Sequence, residues 1–141
     1  MAIQEKGTLM KCASEYDEQV AFCKYLDFVH VTYFATNNEN PMSYANRKVA
    51  MIQGAKAKAA GKKKGIPDMC LLIEGGKTVF IEMKRKTGGT VSKEQKQWLE
   101  RLRVLGFDAY VCKGAKEAIE AVQKYLPESK KKVNSKQGSL L

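Results

Sequence analysis

The segment from Gly65 to Lys84 constrains the fold of this chain more than any other part of the sequence. It holds two apolar runs separated by a Gly-Gly turn, which is the pattern of a β-hairpin. Asp68 stands at the outer end of the first run, and Glu82 and Lys84 close the second run. Because side chains alternate along a strand, Glu82 and Lys84 point to the same face. The hairpin therefore gathers two acids and one amine at one end of a sheet.

The length of the turn decides whether the two acids share a face. A two-residue loop would send Asp68 and Glu82 to opposite sides of the sheet. A three-residue loop, Glu74-Gly75-Gly76, places them opposite each other on one face. Such a loop requires glycine at its left-handed last position, which Gly76 supplies. We therefore predict the three-residue loop, or an equivalent bulge near Pro67.

In this register both faces of the hairpin are apolar, as expected for a sheet covered by helices on both sides. One face carries the two acids together with Cys70, Leu72 and Phe80. The opposite face carries Met69, Leu71, Ile73, Val79 and Ile81.

Two carboxylates that stay ionised side by side imply a cation between them. Oxygen ligands from Asp68, Glu82 and the backbone carbonyl of Met83 suit Mg²⁺ or Mn²⁺ and not zinc. Such an ion and the Lys84 amine are the parts needed to hydrolyse a phosphodiester bond. Taken singly, a turn cap at Asp68 and a simple ion pair between Glu82 and Lys84 are the plainer interpretations. Their joint occurrence in one hairpin favours the metal site.

Composition indicates a nucleic-acid partner. The chain has 141 residues, which suits one domain, and its 25 Lys+Arg against 15 Asp+Glu give a net charge of +10. We expect a cytosolic protein with no membrane partner, because we find no apolar run that could span a bilayer and no signal peptide. The four cysteines lie far apart and there is one histidine, so we expect reduced thiols and no zinc site.

Basic residues stand on both sides of the acidic pair along the chain. Lys62, Lys63 and Lys64 lead into Pro67-Asp68, and Arg47 lies upstream of them. Arg85 and Lys86 directly follow Lys84. Positive charge around an acidic site is what contact with a phosphate backbone requires, so we predict that these residues bind nucleic acid.

Hydrophobic periodicity and capping signals predict the order α-β-α-β-β-α-β-α and hence a single mixed sheet flanked by helices. Ser14 and Ser92 are predicted N-caps, and we interpret Gln95 as the capping-box partner of Ser92 and Trp98 as a core residue. The predicted helices are 15–27, 43–60, 92–105 and 115–126, and the predicted strands are 28–35, 69–73, 77–84 and 107–112. We divide the chain into a flexible arm (1–13), one domain (14–127) and a basic disordered tail (128–141).

These motifs resemble the VRR-NUC branch of the PD-(D/E)XK nuclease superfamily. The resemblance rests on Lys64-Gly65-Ile66-Pro67-Asp68, Glu82-Met83-Lys84, Ser92-x-x-Gln95-x-x-Trp98-Leu99 and Leu105-Gly106-Phe107. It covers about residues 61 to 126 and is weaker from 14 to 60.

The resemblance implies a restriction-endonuclease-like core and hydrolysis of DNA that depends on Mg²⁺ or Mn²⁺. Asp68 and Glu82 would hold the ion with the Met83 carbonyl, and Lys84 would orient the attacking water or stabilise the developing charge. Such folds usually take a further acid or amide from the first helix. We favour Glu15 and Gln19 for that role, with Glu18 as the alternative.

The resemblance also implies a structure-selective endonuclease that cuts Holliday junctions or other branched DNA as a homodimer, in bacterial or phage replication and repair. We expect the dimer surface to be an exposed apolar part of residues 28–60. The alternative hypothesis is a nucleic-acid-binding module whose nuclease core is inactive or requires a partner protein.

Overall fold

A computed structural model describes residues 11–36 and 46–131. Its elements are α1 (Glu15–Phe28), β1 (Thr32–Ala35), α2 (Arg47–Ala59), β2 (Met69–Ile73), β3 (Lys77–Lys84), α3 (Lys93–Val104), β4 (Asp108–Lys113), α4 (Ala115–Gln123) and α5 (Glu128–Lys131). The chain is thus an α/β domain. The short α5 was not predicted and occupies residues that we assigned to the disordered tail.

The four strands form one mixed sheet in the order β1-β2-β3-β4. The pairs β1-β2 and β2-β3 are antiparallel, whereas β3 and β4 are parallel. A parallel pair needs a crossover connection, and α3 provides it between β3 and β4. Because β3 and β4 run in the same direction, both strands end at the edge of the sheet where Glu82 and Lys84 lie.

The hairpin has the register that the turn chemistry predicts. Ile73 lies opposite Lys77, so the connecting loop contains three residues. Gly76 has a φ of +80°, and Gly75 also has a positive φ of +87°. Both values lie in the left-handed region, where glycine has no steric penalty. The three-residue loop is therefore confirmed, and no bulge near Pro67 is required.

The main core lies between the sheet and the helices α1 and α4. It contains the five apolar residues predicted for the face away from the acids, and four of these are fully buried: Met69, Leu71, Val79 and Ile81. A smaller cluster lies on the other face, where Leu99 and Leu102 of α3 cover Phe80 and Ala109. The assignment of hairpin side chains to the two faces is thus correct.

The prediction that helices cover both faces is only partly correct. On the face of the acids, α3 covers β3 and β4, while Leu72 is 45% exposed and Phe34 is 51% exposed. The helix α2 does not cover this region, since none of its residues is buried. Its position outside the core could not be read from an alanine-rich and lysine-rich sequence.

The first strand begins later than predicted, because α1 runs through Phe28 and ends in a turn. Val31 donates its backbone N–H to the Leu26 carbonyl and His30 donates to that of Asp27, which are the two bonds of a Schellman motif. His30 takes the left-handed position of this motif with a φ of +58°. The helix end was predicted to within one residue, but the motif is usually marked by glycine, so the histidine concealed the turn that delays the start of the strand.

Three predictions lie outside the described residues: most of the flexible arm, the start of the second helix at 43–45, and the tail beyond residue 131. Within the described ranges, no helix is long and apolar enough to cross a membrane.

Candidate metal centre

The two acids of the hairpin converge at the open end of β2 and β3. Extending the observed pairing of Met69 with Ile81 by one residue sets Asp68 opposite Glu82. Asp68 Oδ2 accepts a hydrogen bond of 2.8 Å from the backbone N–H of Met83. The backbone of Asp68 is held from the other side, because Thr36 donates its N–H to the Asp68 carbonyl at 2.9 Å.

The Glu82 carboxylate is fixed through one oxygen and unpartnered at the other. Its side chain is 1% exposed, and Oε1 lies 3.1 Å from Lys84 Nζ and 2.6 Å from Gln95 Nε2. Oε2 is buried and has no hydrogen-bond partner among the residues that the structure describes. A buried carboxylate oxygen without a donor is unfavourable unless a ligand occupies the space beside it.

Electrostatics at the pair favour a bound cation. Burial, and then the negative charge of Asp68, raises the pKa of Glu82 to about 7. Burial is also the main cause that raises the pKa of Asp68, and the negative charge of Glu15 adds to it. Because both carboxyl groups resist ionisation in this arrangement, a divalent cation between them would stabilise their charged forms.

The Met83 carbonyl faces the same space. In an extended strand the N–H and C=O of one residue point to the same side, and the Met83 N–H points to Asp68. The strand β2 starts at Met69, so it offers no backbone partner at this level of the sheet. The Met83 side chain is fully buried in the main core, as the predicted alternation requires.

The glutamine that contacts Glu82 comes from the first turn of α3. Gln95 accepts a 2.8 Å hydrogen bond from the Ser92 N–H through Oε1, which leaves its Nε2 free to reach Glu82. Gly65 allows the preceding loop to pack against this turn, since a Cβ at Gly65 would lie 2.6–2.8 Å from atoms of Glu94 and Gln95. We predicted the capping box correctly but missed the contact with Glu82.

The three candidate residues of α1 lie in different environments. Glu15 lies close enough to Asp68 and Glu82 for its charge to raise the pKa of both. Gln19 is half-buried, and its side chain makes no hydrogen bond with the residues that the structure describes. Glu18 is buried and accepts a 2.5 Å hydrogen bond from the Ala115 N–H at the start of α4. This bond makes Glu18 a helix cap, which disfavours it as the metal-site residue.

The basic residues predicted to contact nucleic acid are all exposed: Arg47, Lys62, Lys63, Lys64, Arg85 and Lys86. Lys64 lies 3.7 Å from Glu94 of α3, and its side chain is 84% exposed. The guanidinium of Arg85 donates to the Gly88 carbonyl at 3.4 Å. Because their side chains are exposed, these residues are available to a large ligand.

The donor set fits a hard cation better than a soft one. Two carboxylates, one backbone carbonyl and water are oxygen ligands, which Mg²⁺ and Mn²⁺ prefer. Within residues 11–36 and 46–131, no group of three or more His, Cys, Asp or Glu side chains could hold a metal ion. Any ion at this site would therefore depend on the Met83 carbonyl, water and substrate oxygens to complete its shell.

Comparison with known protein families shows to which family the chain is related. The VRR-NUC domain profile matches residues 4–116, which is most of the chain. The chain belongs to the VRR-NUC domain family. A solved structure of a VRR_NUC domain protein is similar in fold, with a TM-score of 0.61 and 22% sequence identity over 82% of this chain and 89% of that chain. No match was found among the curated proteins.

Membership of the VRR-NUC family confirms the resemblance and gives the general activity. VRR-NUC domains are nucleases of the PD-(D/E)XK type, so this chain is a nuclease domain with DNA as its class of substrate. Nucleases of this superfamily typically use divalent metal ions. The residues Asp68, Glu82 and Lys84 stand at the positions of the PD and ExK elements in this sequence.

Proposed function

We propose that this chain is an endonuclease that hydrolyses phosphodiester bonds of DNA with Mg²⁺ or Mn²⁺ held by Asp68, Glu82 and the Met83 carbonyl. The observation that carries the proposal is that Oε2 of Glu82, beside Asp68, is buried and has no hydrogen-bond partner in the described part of the chain. A carboxylate that is fixed through one oxygen and left open at the other is preorganised for a ligand. The oxygen chemistry of the three groups selects a hard divalent cation.

A divalent ion at this position supplies Lewis-acid activation of water and neutralises charge on the phosphate. Lys84 is the second catalytic group, because its ammonium is buried beside Glu82 and carries three donors. Its donors orient the attacking water or stabilise the charge that develops on the phosphate oxygens. Glu15 and Gln19 would extend the site from α1, where the negative charge of Glu15 acts on both Asp68 and Glu82.

We further propose that the exposed cations guide the DNA backbone to the site. Lys62, Lys63 and Lys64 approach from the loop before β2, and Arg85 and Lys86 approach from the loop after β3. The net charge of +10 adds a long-range attraction for DNA. Arg47 starts α2 and would extend this surface.

Branched DNA is the proposed substrate, and a homodimer is the proposed active form, in bacterial or phage replication and repair in the cytoplasm. A symmetric dimer would present two sites to the two strands of a junction. Exposed apolar side chains on α2 and on the uncovered sheet face support self-association: Val49, Met51, Ile52, Phe34 and Leu72. Light scattering over a range of protein concentrations measures this directly, and a strictly monomeric chain would refute the dimer.

Cleavage of a substrate panel tests the activity. Labelled four-way junction, flap and linear duplex are incubated with Mg²⁺, with Mn²⁺ and with EDTA. We expect metal-dependent cleavage that favours branched substrates. Asp68→Ala and Lys84→Ala should each abolish cleavage and leave DNA binding largely intact. Both residues are proposed to act in the hydrolysis step and not to hold the DNA backbone.

The matched control is Lys113→Ala, which removes an exposed lysine directly opposite Lys84 on β4. This variant should keep cleavage near the wild-type rate. Full activity of the Asp68 and Lys84 variants, or activity undiminished in EDTA, would refute the metal-dependent mechanism. Binding without cleavage on every substrate would instead support an inactive or partner-dependent core.

A further inference from the structure

A groove beside α3 is not accounted for by the metal centre. It is open to solvent, encloses about 630 Å³, and is lined along one side of the helix by Glu94, Gln97, Trp98 and Arg101. These residues are spaced by three or four positions, so they form one continuous stripe. The groove is too open to enclose a small ligand, but it offers a surface along which a longer chain could lie.

Two short stretches of chain connect the residues of the groove with those of the candidate metal centre. Lys64 lines it and stands four residues before Asp68 in the chain. Trp98 follows Gln95 by one helical turn, and Gln95 donates to Glu82 at 2.6 Å. Trp98 and Lys64 thus belong to the same helix turn and loop that flank the site.

Trp98 is the only tryptophan of the chain, and it is half-buried. One part of its ring packs against the cluster around Leu99 and Leu102, so the prediction of a core residue is half correct. Another part of the side chain lines the groove. An indole that is held by packing and open on one side is suited to stacking with a planar base.

The charges of the groove favour bases over a duplex backbone. Glu94 and Glu100 line it and would repel a continuous row of phosphates, whereas carboxylates accept hydrogen bonds from the amino groups of base edges. Arg101 is a free cation, since no carboxylate of the described residues pairs with it. The Lys64–Glu94 pair is long at 3.7 Å and exposed, so a phosphate could displace Glu94 at little cost.

We propose that this groove binds an unpaired segment of DNA, with a base stacked on Trp98 and the flanking phosphates held by Lys64 and Arg101. The inference rests on the proposed nuclease function and deepens it, because it assigns a place for the single-stranded arm of a branched substrate. Unstacked bases are required, since the bases of a continuous duplex are not free to stack on a protein ring.

The fluorescence of Trp98 gives a direct measure of binding in the groove. The full chain is titrated in EDTA with a single-stranded oligonucleotide and with a blunt duplex of the same length, while tryptophan fluorescence and the anisotropy of labelled DNA are recorded. We expect the single strand to quench Trp98 with the same midpoint as the anisotropy change. We expect the duplex to bind but to quench the fluorescence of Trp98 much less than the single strand does.

Three results would overturn the proposal. The first is binding of single strand by anisotropy with unchanged fluorescence. The second is equal quenching by both DNA forms. The third is a fluorescence change that follows protein concentration without DNA, which would mean that a second copy of the chain covers the groove.

Substitutions give an independent test. Trp98→Leu should weaken single-strand binding between about 5-fold and 150-fold, whereas Trp98→Phe keeps a ring and should bind nearly as the wild type does. Arg101→Ala changes an exposed residue without disturbing the core, and it should weaken single-strand binding several-fold. Lys96→Ala removes an exposed cation of the same helix outside the groove and serves as the control.

The groove proposal and the nuclease proposal can be refuted independently of each other. If Trp98→Leu and Arg101→Ala both bind single strand like the Lys96 control, the groove assignment is wrong while metal-dependent cleavage can still stand. Loss of cleavage in Asp68→Ala tests the nuclease and carries no information on Trp98.

Discussion

Charged and polar side chains lie at both ends of the central sheet. Among the described residues, only one end provides hydrogen-bond or ion-pair partners for all of these groups. At the far end, the Tyr125 hydroxyl donates to Asp108 and lies 2.6 Å from the Tyr110 hydroxyl, while Lys77 pairs with Asp108 at 3.0 Å. Lys124 lies over the Tyr110 ring, 4.7 Å from its centre. Every group of this network has a partner within the chain.

At the candidate metal centre, by contrast, one buried oxygen of Glu82 has no hydrogen-bond partner among residues 11–36 and 46–131. Closed networks of this kind stabilise a fold, whereas an open buried acceptor costs stability until a ligand arrives. Clusters of polar residues therefore do not by themselves mark a functional site. The unsatisfied atom distinguishes the site from the structural network, and variants at the two ends should separate activity from stability.

Gln95→Ala should produce the largest effect in this comparison. Without the amide, Glu82 loses the 2.6 Å hydrogen bond that orients its carboxylate, and residues that position a ligand in this way contribute about 10- to 100-fold to metal affinity or activity. Calorimetric titration with Mg²⁺ and the dependence of cleavage rate on Mg²⁺ concentration measure the change. Lys96→Ala is the control, and a Gln95 variant with wild-type metal affinity would contradict the role.

A smaller effect is expected from pH. Burial raises the Glu82 pKa to about 7 from 4.5, so the metal-free folded protein binds a proton more tightly than the unfolded chain does. The stability of the metal-free protein should therefore fall as pH rises from about 4.5 through 7. Mg²⁺ binds the ionised carboxylate, so its apparent affinity should be about tenfold weaker at pH 6 than at pH 8.

Thermal unfolding with and without Mg²⁺ at these two pH values tests this linkage. The stabilisation by Mg²⁺ should be greater at pH 8. Equal stabilisation at both pH values would show that Glu82 is not the titrating ligand, and Glu117→Gln, an exposed acid of α4, provides the control.

Tyr125→Phe should have the smallest effect and should change stability alone. It removes the hydroxyl that links Tyr110 to Asp108 and is expected to cost about 1–2 kcal/mol of unfolding free energy. Chemical denaturation measures the loss, and cleavage at a temperature where the variant is folded should match the wild type. A fall in cleavage rate without a fall in stability would contradict the assignment of a purely structural role to this end of the sheet.

Local chemistry made much of this fold predictable. The glycine at the end of the Glu74-Gly75-Gly76 loop fixed the register, and the register fixed the face of each hairpin residue. The capping boxes that start α1 and α3 were also visible, because both members of each box are three residues apart. These features depend on neighbours in the sequence.

The missed features depend on distant residues. The bond from Gln95 to Glu82 and the bond from Ala115 to Glu18 arise from how helices pack on the sheet, and no local pattern encodes them. The position of α2 is a tertiary property of the same kind. His30 shows a local failure, since a histidine took the left-handed position where glycine is the usual signal.

The convergence of Asp68 and Glu82 on one divalent ion is the claim on which the mechanism depends. Anomalous diffraction from crystals of the full chain grown with Mn²⁺ tests it directly. We predict a single strong peak within bonding distance of the Asp68 and Glu82 carboxylates and the Met83 carbonyl. Carboxylates that turn away from each other, with the manganese peak elsewhere or no peak between them, would contradict the account.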